Sequence, residues 1–162
     1  MAKNYWLLKS EPSVFSLSDL ENSPKRTTCW DGVRNYQVRN FLRDDVKIGD
    51  LAFFYHSGCD EPAVAGIVRV VADAYPDHTA FDPEEKHYDA ASEPANPRWF
   101  MVDVRFERAL KRPLTLQELK LYKDKQLAGL TLLQRGNRLS VLPVSKNHWE
   151  FIISLERQKH AD

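Results

Sequence analysis

Trp99-Phe100-Met101-Val102-Asp103-Val104-Arg105-Phe106-Glu107-Arg108-Ala109-Leu110 is the most strongly patterned stretch of this chain. Phe100, Val102, Val104 and Phe106 alternate with Met101, Asp103, Arg105 and Glu107, the period of two that an extended strand produces. The spacing predicts a strand over Trp99–Leu110. Its even-numbered apolar residues face a core, and Trp99, Met101, Asp103, Arg105 and Glu107 face the other way.

Working outward, Asp50–Ser57 repeats the alternation: Leu51, Phe53, Tyr55 and Ser57 on one face, Ala52, Phe54 and His56 on the other. Ala63–Ala72 reads as a further strand, with Gly66 marking a bulge or a close approach. Tyr5–Leu8 is a buried first strand stopped near Pro12, Thr27–Trp30 is β-prone until Asp31-Gly32, and Leu139–Leu142 is a last strand-prone piece. Between them lie helix signals. Ser16 can cap a short helix with a Phe15/Leu20 staple, and Asn35 can cap one that buries Val38, Phe41 and Leu42. Leu114–Leu119 is a capping box, and Ser145 begins a final helix with Trp149, Ile152, Ile153 and Leu155 on its apolar side. Strands outnumber helices and lie too close together for regular βαβ crossovers. The expected class is α+β, a small, mainly antiparallel β-barrel or curved sheet with peripheral helices.

The length of 162 residues fits one domain spanning 1–162, and the 43% hydrophobic content supplies a core. No run approaches the roughly 20 apolar residues of a membrane helix, and the start has no signal-peptide layout. Cys29 and Cys59 are too few for a disulfide framework, so a reducing cytosol is expected. The formal charge is zero, from 23 Lys+Arg and 23 Asp+Glu, which excludes a uniformly basic nucleic-acid module. The zero is a cancellation. Residues 1–48 carry 8 basic and 6 acidic side chains, residues 49–97 carry 2 and 10, and residues 98–162 carry 13 and 7. Much of the acid falls in Tyr75–Pro97, a stretch with four prolines, which reads as a long surface excursion away from any ligand.

Several chemistries lack their signatures. No glycine-rich phosphate loop, no Cys/His zinc spacing and no nucleophile elbow is present, so no metal, no cofactor and no serine-type hydrolysis is expected. What remains are three clusters of aromatics with forked hydrogen-bonding groups: Leu8–Pro12, Cys29–Asn40 and Phe53–Gly58. Such a mixture suits a planar heterocycle. An aromatic ring stacks on a base, Asn, Gln and Ser read its edge, and Arg or Lys holds the flanking phosphates. Each residue also has a structural reading: Tyr36, Tyr55 and Trp99 as rim or core aromatics, Trp30 as the lid of a turn, Arg34 and Arg39 as solvated helix charges, Asn35 as a cap.

Four longer motifs then identify a family. Trp6–Pro12, Thr28–Gln37, Ala52–Ser57 and Trp99–Val104 closely resemble the EVE domain, and Ala74–Asp77, His87–Asp89 and Leu139–Val141 fit the same pattern, so the resemblance spans about residues 4–156. It implies a PUA-like fold, related to ASCH and YTH domains. It also implies a nucleic-acid partner, DNA or RNA, read through a pocket for a modified base such as 5-methyl- or 5-hydroxymethylcytosine. Carried over motif by motif, the pocket would comprise Ser10, Trp30, Asn35, Gln37, Tyr55, Ser57 and Trp99. Lys9, Arg34, Arg39, Arg135 and Arg138 would lie at its rim or on the phosphates. A nuclear member of the family has an extra N-terminal region that this chain lacks, so a stand-alone, monomeric, cytoplasmic protein is expected.

Three functions compete at this point. The first is a non-enzymatic reader that takes a flipped base into the pocket. The second is a hydrolase of a modified nucleoside, as in ASCH-type relatives, with Lys9, Ser10 and Glu11 as base, nucleophile and acid. The third is an interaction module using the acidic stretch Asp73–Glu93. The resemblance favours the first, with the first and last segments of the chain forming one basic face around the pocket.

Overall fold

The computed structural model describes residues 4–158. Its six strands are β1 (Tyr5–Ser10), β2 (Thr27–Cys29), β3 (Leu51–His56), β4 (Ala63–Pro76), β5 (Phe100–Thr115) and β6 (Val141–Val144). They form one sheet in the order β2-β5-β4-β3-β1-β6. All neighbours are antiparallel except β1 and β3, which run parallel from Tyr5 opposite Leu51 to Ser10 opposite His56. The helices are α1 (Leu17–Glu21), α2 (Tyr36–Asn40), α3 (Leu116–Lys120) and α4 (Lys146–Leu155).

The expected barrel closure is not found: β2 and β6 each pair on one side only, so the sheet is open. Pro143 lies within β6, opposite Trp6, and has no N–H to give a further strand. Register shifts between β3 and β4 and between β4 and β5 curve the sheet instead. One of these lies beside Gly66, where a Cβ would sit 2.5 Å from Leu17 Cδ2 and 2.7 Å from the Arg108 carbonyl oxygen. Glycine is therefore required by close approach as well as by the bulge.

Both faces of the sheet are buried. On one, Trp6, Leu8, Ala52, Phe54, Val68, Val102 and Val104 pack beneath α1 and α2 through Leu17, Leu20, Val38 and Leu42. On the other, Leu7, Phe53, Tyr55, Val64, Ile67 and Leu142 pack beneath α3 and α4 through Leu119, Trp149, Ile152 and Leu155. The alternation in β3 is the parity the sequence predicts. It separates Phe54 and His56 from Phe53 and Tyr55.

The caps form where the sequence places them. The side chains of Ser16, Asn35, Thr115 and Ser145 accept from the backbone N–H groups of Asp19, Val38, Glu118 and His148. At α1 the capping box is reciprocal. At α3, Glu118 instead holds Arg112 through two bonds of 2.7 and 2.8 Å, and Arg112 also donates to the Leu155 carbonyl, tying β5 to α4. The α2 helix does not end at Asn40 but widens into one π turn, Phe41–Asp45.

Two expectations fail at the start of β5. Trp99 and Met101 do not face away from a core; they are 5% and 2% exposed. The reason is the excursion after β4. It folds back against the sheet, with Asp77 fully buried and both its oxygens accepting from the protein, so both faces are covered at this end.

Candidate nucleic-acid interface

A cavity of about 460 Å³ opens where the end of β1 (Lys9, Ser10) meets β2 and the turn after it (Thr28–Arg34). Val14 and Phe15 before α1, Ser140 before β6, and His87 from the excursion complete its lining. The volume lies within the roughly 300–1,000 Å³ range of small-ligand sites.

Trp30 is fixed by its backbone N–H, which donates to the Val102 carbonyl at 2.7 Å and prolongs the pairing of β2 with β5. Its indole meets the Phe54 ring edge-on, with centroids 5.7 Å apart, and is 8% exposed. The indole N–H has no protein acceptor among the described residues. The chain then turns at Gly32, where φ is +77° and a Cβ would lie 2.7 Å from the His87 imidazole. Only glycine permits both the turn and the ring laid over it.

Asp77 anchors this turn from behind. One carboxylate oxygen accepts from Gly32 N at 2.8 Å and from Arg34 Nη1 at 3.1 Å; the other accepts from the backbone and hydroxyl of Thr79. Burial alone would raise the Asp77 pKa, but the bonds from Thr79, Gly32 and Arg34 outweigh it and hold the carboxyl below its ordinary value. Arg34 spends all its donors on the protein: Nε and Nη2 on the His87 carbonyl, Nη1 on the Val33 carbonyl and Asp77, Nη2 also on Thr79. A guanidinium has five N–H groups, and five bonds are made. Arg34 therefore lines the cavity as a strut; the free phosphate contact expected of it has no donor left.

A ladder of rings runs outward from Arg34. Its guanidinium lies 5.4 Å from the Trp99 ring, Trp99 stacks on Tyr36 at 4.8 Å, and Arg39 covers Tyr36 at 4.9 Å. Trp99 donates through its indole N–H to Asp89 at 2.6 Å. That bond, with one from Ala91 N, holds the Asp89 carboxyl below its usual range.

The remaining polar lining groups are mostly uncommitted. Burial lowers the pKa of the Lys9 amine, which has no ion-pair partner among the described residues. Ser10 Oγ donates to the Phe15 carbonyl at 2.6 Å, leaving its lone pairs. Burial, then Asp31 and Asp103, push the Cys29 thiol up, so it stays protonated and is a poor nucleophile. Glu11 turns away, its carboxylate lying where a Cβ on Gly58 would come within 2.9 Å. Lys9, Ser10 and Glu11 thus do not converge.

The structure brings Lys9, Ser10, Trp30 and Arg34 to one cavity and leaves the other sequence candidates outside it. Tyr55 is 3% exposed in the core on the opposite face of the sheet from Trp30, and burial pushes its hydroxyl up to about 12. Ser57 donates its backbone N–H to the Ser10 carbonyl at 3.0 Å but does not line the cavity. Asn35 is committed to its cap, and Gln37 is exposed on α2. Trp99 is buried behind Arg34. Arg39 donates to the Arg98 carbonyl and Asn40, and Arg135 and Arg138 are exposed on the loop before β6. Sequence reasoning missed the apolar Val14, Phe15 and Val33, and also three polar residues, Asp77, His87 and Ser140. All three polar residues lie in motifs that fit the EVE pattern, which was their only signal.

His56 steadies the cavity's edge from the side. Its Nε2 accepts from Leu17 N at 3.1 Å, at the start of α1, and burial lowers its pKa. Only the neutral ring can accept this bond. A depressed pKa gives stability that is present above the unfolded value of about 6.5 and lost as pH falls through the folded one. Thermal unfolding between pH 7 and 5 should therefore show a falling Tm, and His56→Gln should flatten the fall.

Sheet order, flanking helices and a cavity at the strand ends define a PUA-like protein. The EVE domain model matches residues 4–155, and the chain belongs to the EVE domain family. It is 49% identical to rat thymocyte nuclear protein 1, over 94% of this chain and 74% of that protein. A crystal structure of human THYN1 protein in complex with 5-methylcytosine containing DNA superimposes with a TM-score of 0.92 at 47% identity, covering 97% of this chain and 99% of that one. A YTH domain from Zygosaccharomyces rouxii, at 11% identity and a TM-score of 0.52 over 96% of this chain and 87% of that one, shares the fold alone.

Proposed function

We propose that this protein is a non-enzymatic reader of DNA carrying a modified cytosine, 5-methyl- or 5-hydroxymethylcytosine, and that the modified base enters the Trp30 cavity flipped from its strand. The observation that carries this reading is a cavity of about 460 Å³ joining an indole, an imidazole, serine hydroxyls and one unpaired amine, in a chain 47% identical to a protein crystallised with 5-methylcytosine DNA. Trp30 supplies the stacking wall, Val14, Phe15 and Val33 supply apolar contact suited to a 5-substituent, and Ser10, Ser140 and Lys9 supply edge-reading groups. Extruding a base costs a few kcal/mol. Stacking worth roughly 1–3 kcal/mol with two or three hydrogen bonds offsets it.

The hydrolase reading is disfavoured, because Glu11 lies apart from Lys9 and Ser10, and Ser10 Oγ donates to a carbonyl instead of to a base. Equilibrium titration with matched duplexes, identical but for one modified cytosine, tests the proposal. Preferential binding of a modified duplex is expected; equal Kd values for all duplexes would refute it.

A further inference from the structure

A second hollow, of about 390 Å³, lies between α3 and the turn before β6. Leu116, Leu132 and Leu133 contribute its apolar surface, and Lys120, Lys123, Gln134 and Arg135 its polar one. Its three cations are exposed, no carboxylate lines the groove, and none of the three has an ion-pair partner among the described residues. Scattered surface cations are ordinary; three lining one groove that no carboxylate lines form an anion-binding surface. An adjoining hollow that shares Leu116 and Lys120 is lined by Asp60 and Glu61. Those acids bound the basic surface at that end.

The groove lies on the α3/α4 side of the sheet, and the chain ties it to the base cavity around the β6 edge. Arg135 is five residues from Ser140, which lines the cavity and whose carbonyl accepts from Lys9 N at 2.9 Å. Five residues span at most about 18 Å. Successive phosphates of one B-DNA strand rise about 3.4 Å each, so Arg135, at the near end of the groove, lies within roughly five nucleotides of the cavity. Arg138 is exposed between the two.

We propose that this groove is a second nucleic-acid contact, in which Lys120, Lys123 and Arg135 neutralise phosphates flanking the nucleotide whose base enters the Trp30 cavity. The proposal rests on the base-reading function and adds the track that the strand follows. It also explains how a chain of zero net charge holds a polyanion when the Arg34 donors are all committed to the protein. The track supplies affinity without sequence or modification preference.

The test is a salt titration of the full chain on duplexes with and without one 5-methylcytosine. The variant Lys120→Ala/Lys123→Ala/Arg135→Ala is compared with Lys25→Ala/Lys47→Ala/Lys111→Ala, which removes the same charge from exposed positions elsewhere. Each phosphate contact contributes about 0.9 to the slope of log affinity against log salt. The groove variant should flatten that slope by about 2–3 and weaken both duplexes equally, with the methyl preference retained. The control triple should leave the slope near that of the parent. Equal slopes for the groove variant and the parent, or an equal loss in both triples, would overturn the proposal. A parent without methyl preference whose slope still flattens in the groove variant would uphold the phosphate track and refute the base-reading function, so the two failures are distinct.

Discussion

Asp77→Asn is expected to destabilise the protein by about 3 kcal/mol, the low end of the cost of breaking a buried ion pair. The low end applies because the Arg34 side chain is 22% exposed while that of Asp77 is 0% exposed. Asparagine keeps the volume but loses the charge. Its amide NH2 must also face an N–H donor, since both Asp77 oxygens accept: one from Gly32 and Arg34, the other from Thr79. Urea unfolding should show a lower midpoint with an unchanged m-value. Because Gly32 and Arg34 line the cavity, modified-base binding should weaken even where the variant is still folded. The wild-type contribution has a defined pH window. The Asp77 pKa is lowered in the fold, so its stabilisation is complete above the ordinary value of 3.8 and is lost as pH falls through the lower folded value.

Trp30→Ala should weaken binding of a modified duplex roughly five- to 150-fold, the stacking contribution of about 1–3 kcal/mol converted to affinity. It should also abolish the preference for the modified base, while the salt dependence set by phosphate contacts stays as it was. Removing an indole that is 8% exposed and packs edge-on against Phe54 also costs about 3 kcal/mol of stability. Trp30→Phe separates the two effects. It keeps an aromatic face and most of the volume, so it should restore most of the binding and most of the stability.

Local signals in the sequence were reliable. The caps at Ser16, Asn35, Thr115 and Ser145 depend only on neighbours three residues away, and they form. The parity of Leu51–Ser57 follows from strand geometry, and Gly66 sits at a bulge as its isolation in a strand suggests. That same parity puts Tyr55 beyond reach of a cavity on the Phe54 side, a consequence that needs the tertiary placement of Trp30. The wall of the cavity was illegible for a related reason. Asp77 reaches Gly32 across 45 residues and His87 reaches Arg34 across 53, so neither contact leaves a local pattern. An acidic, proline-rich stretch reads as solvated surface, yet here it carries the buried carboxylate that organises the site.

The charge distribution changes meaning accordingly. The acidic middle segment is not held away from the cavity, because His87 lines it and Asp77 stands behind it. Lys9 in the cavity and Lys120, Lys123, Arg135 and Arg138 beyond it have no ion-pair partner among the described residues and are available for phosphate. Affinity and discrimination are thus assigned to different surfaces, the groove and the aromatic cavity.

The central claim is that the modified base leaves its stack and lies against Trp30. Photo-crosslinking tests this most directly, with a duplex in which 5-iodocytosine replaces the modified base, its halogen standing in for the 5-methyl group. After irradiation, peptide mapping locates the attachment. The account predicts one dominant crosslink on the peptide containing Trp30, competed away by a 5-methylcytosine duplex and much reduced in Trp30→Ala. A crosslink that maps instead to the exposed Tyr36, or that an unmodified duplex competes away equally well, would contradict it.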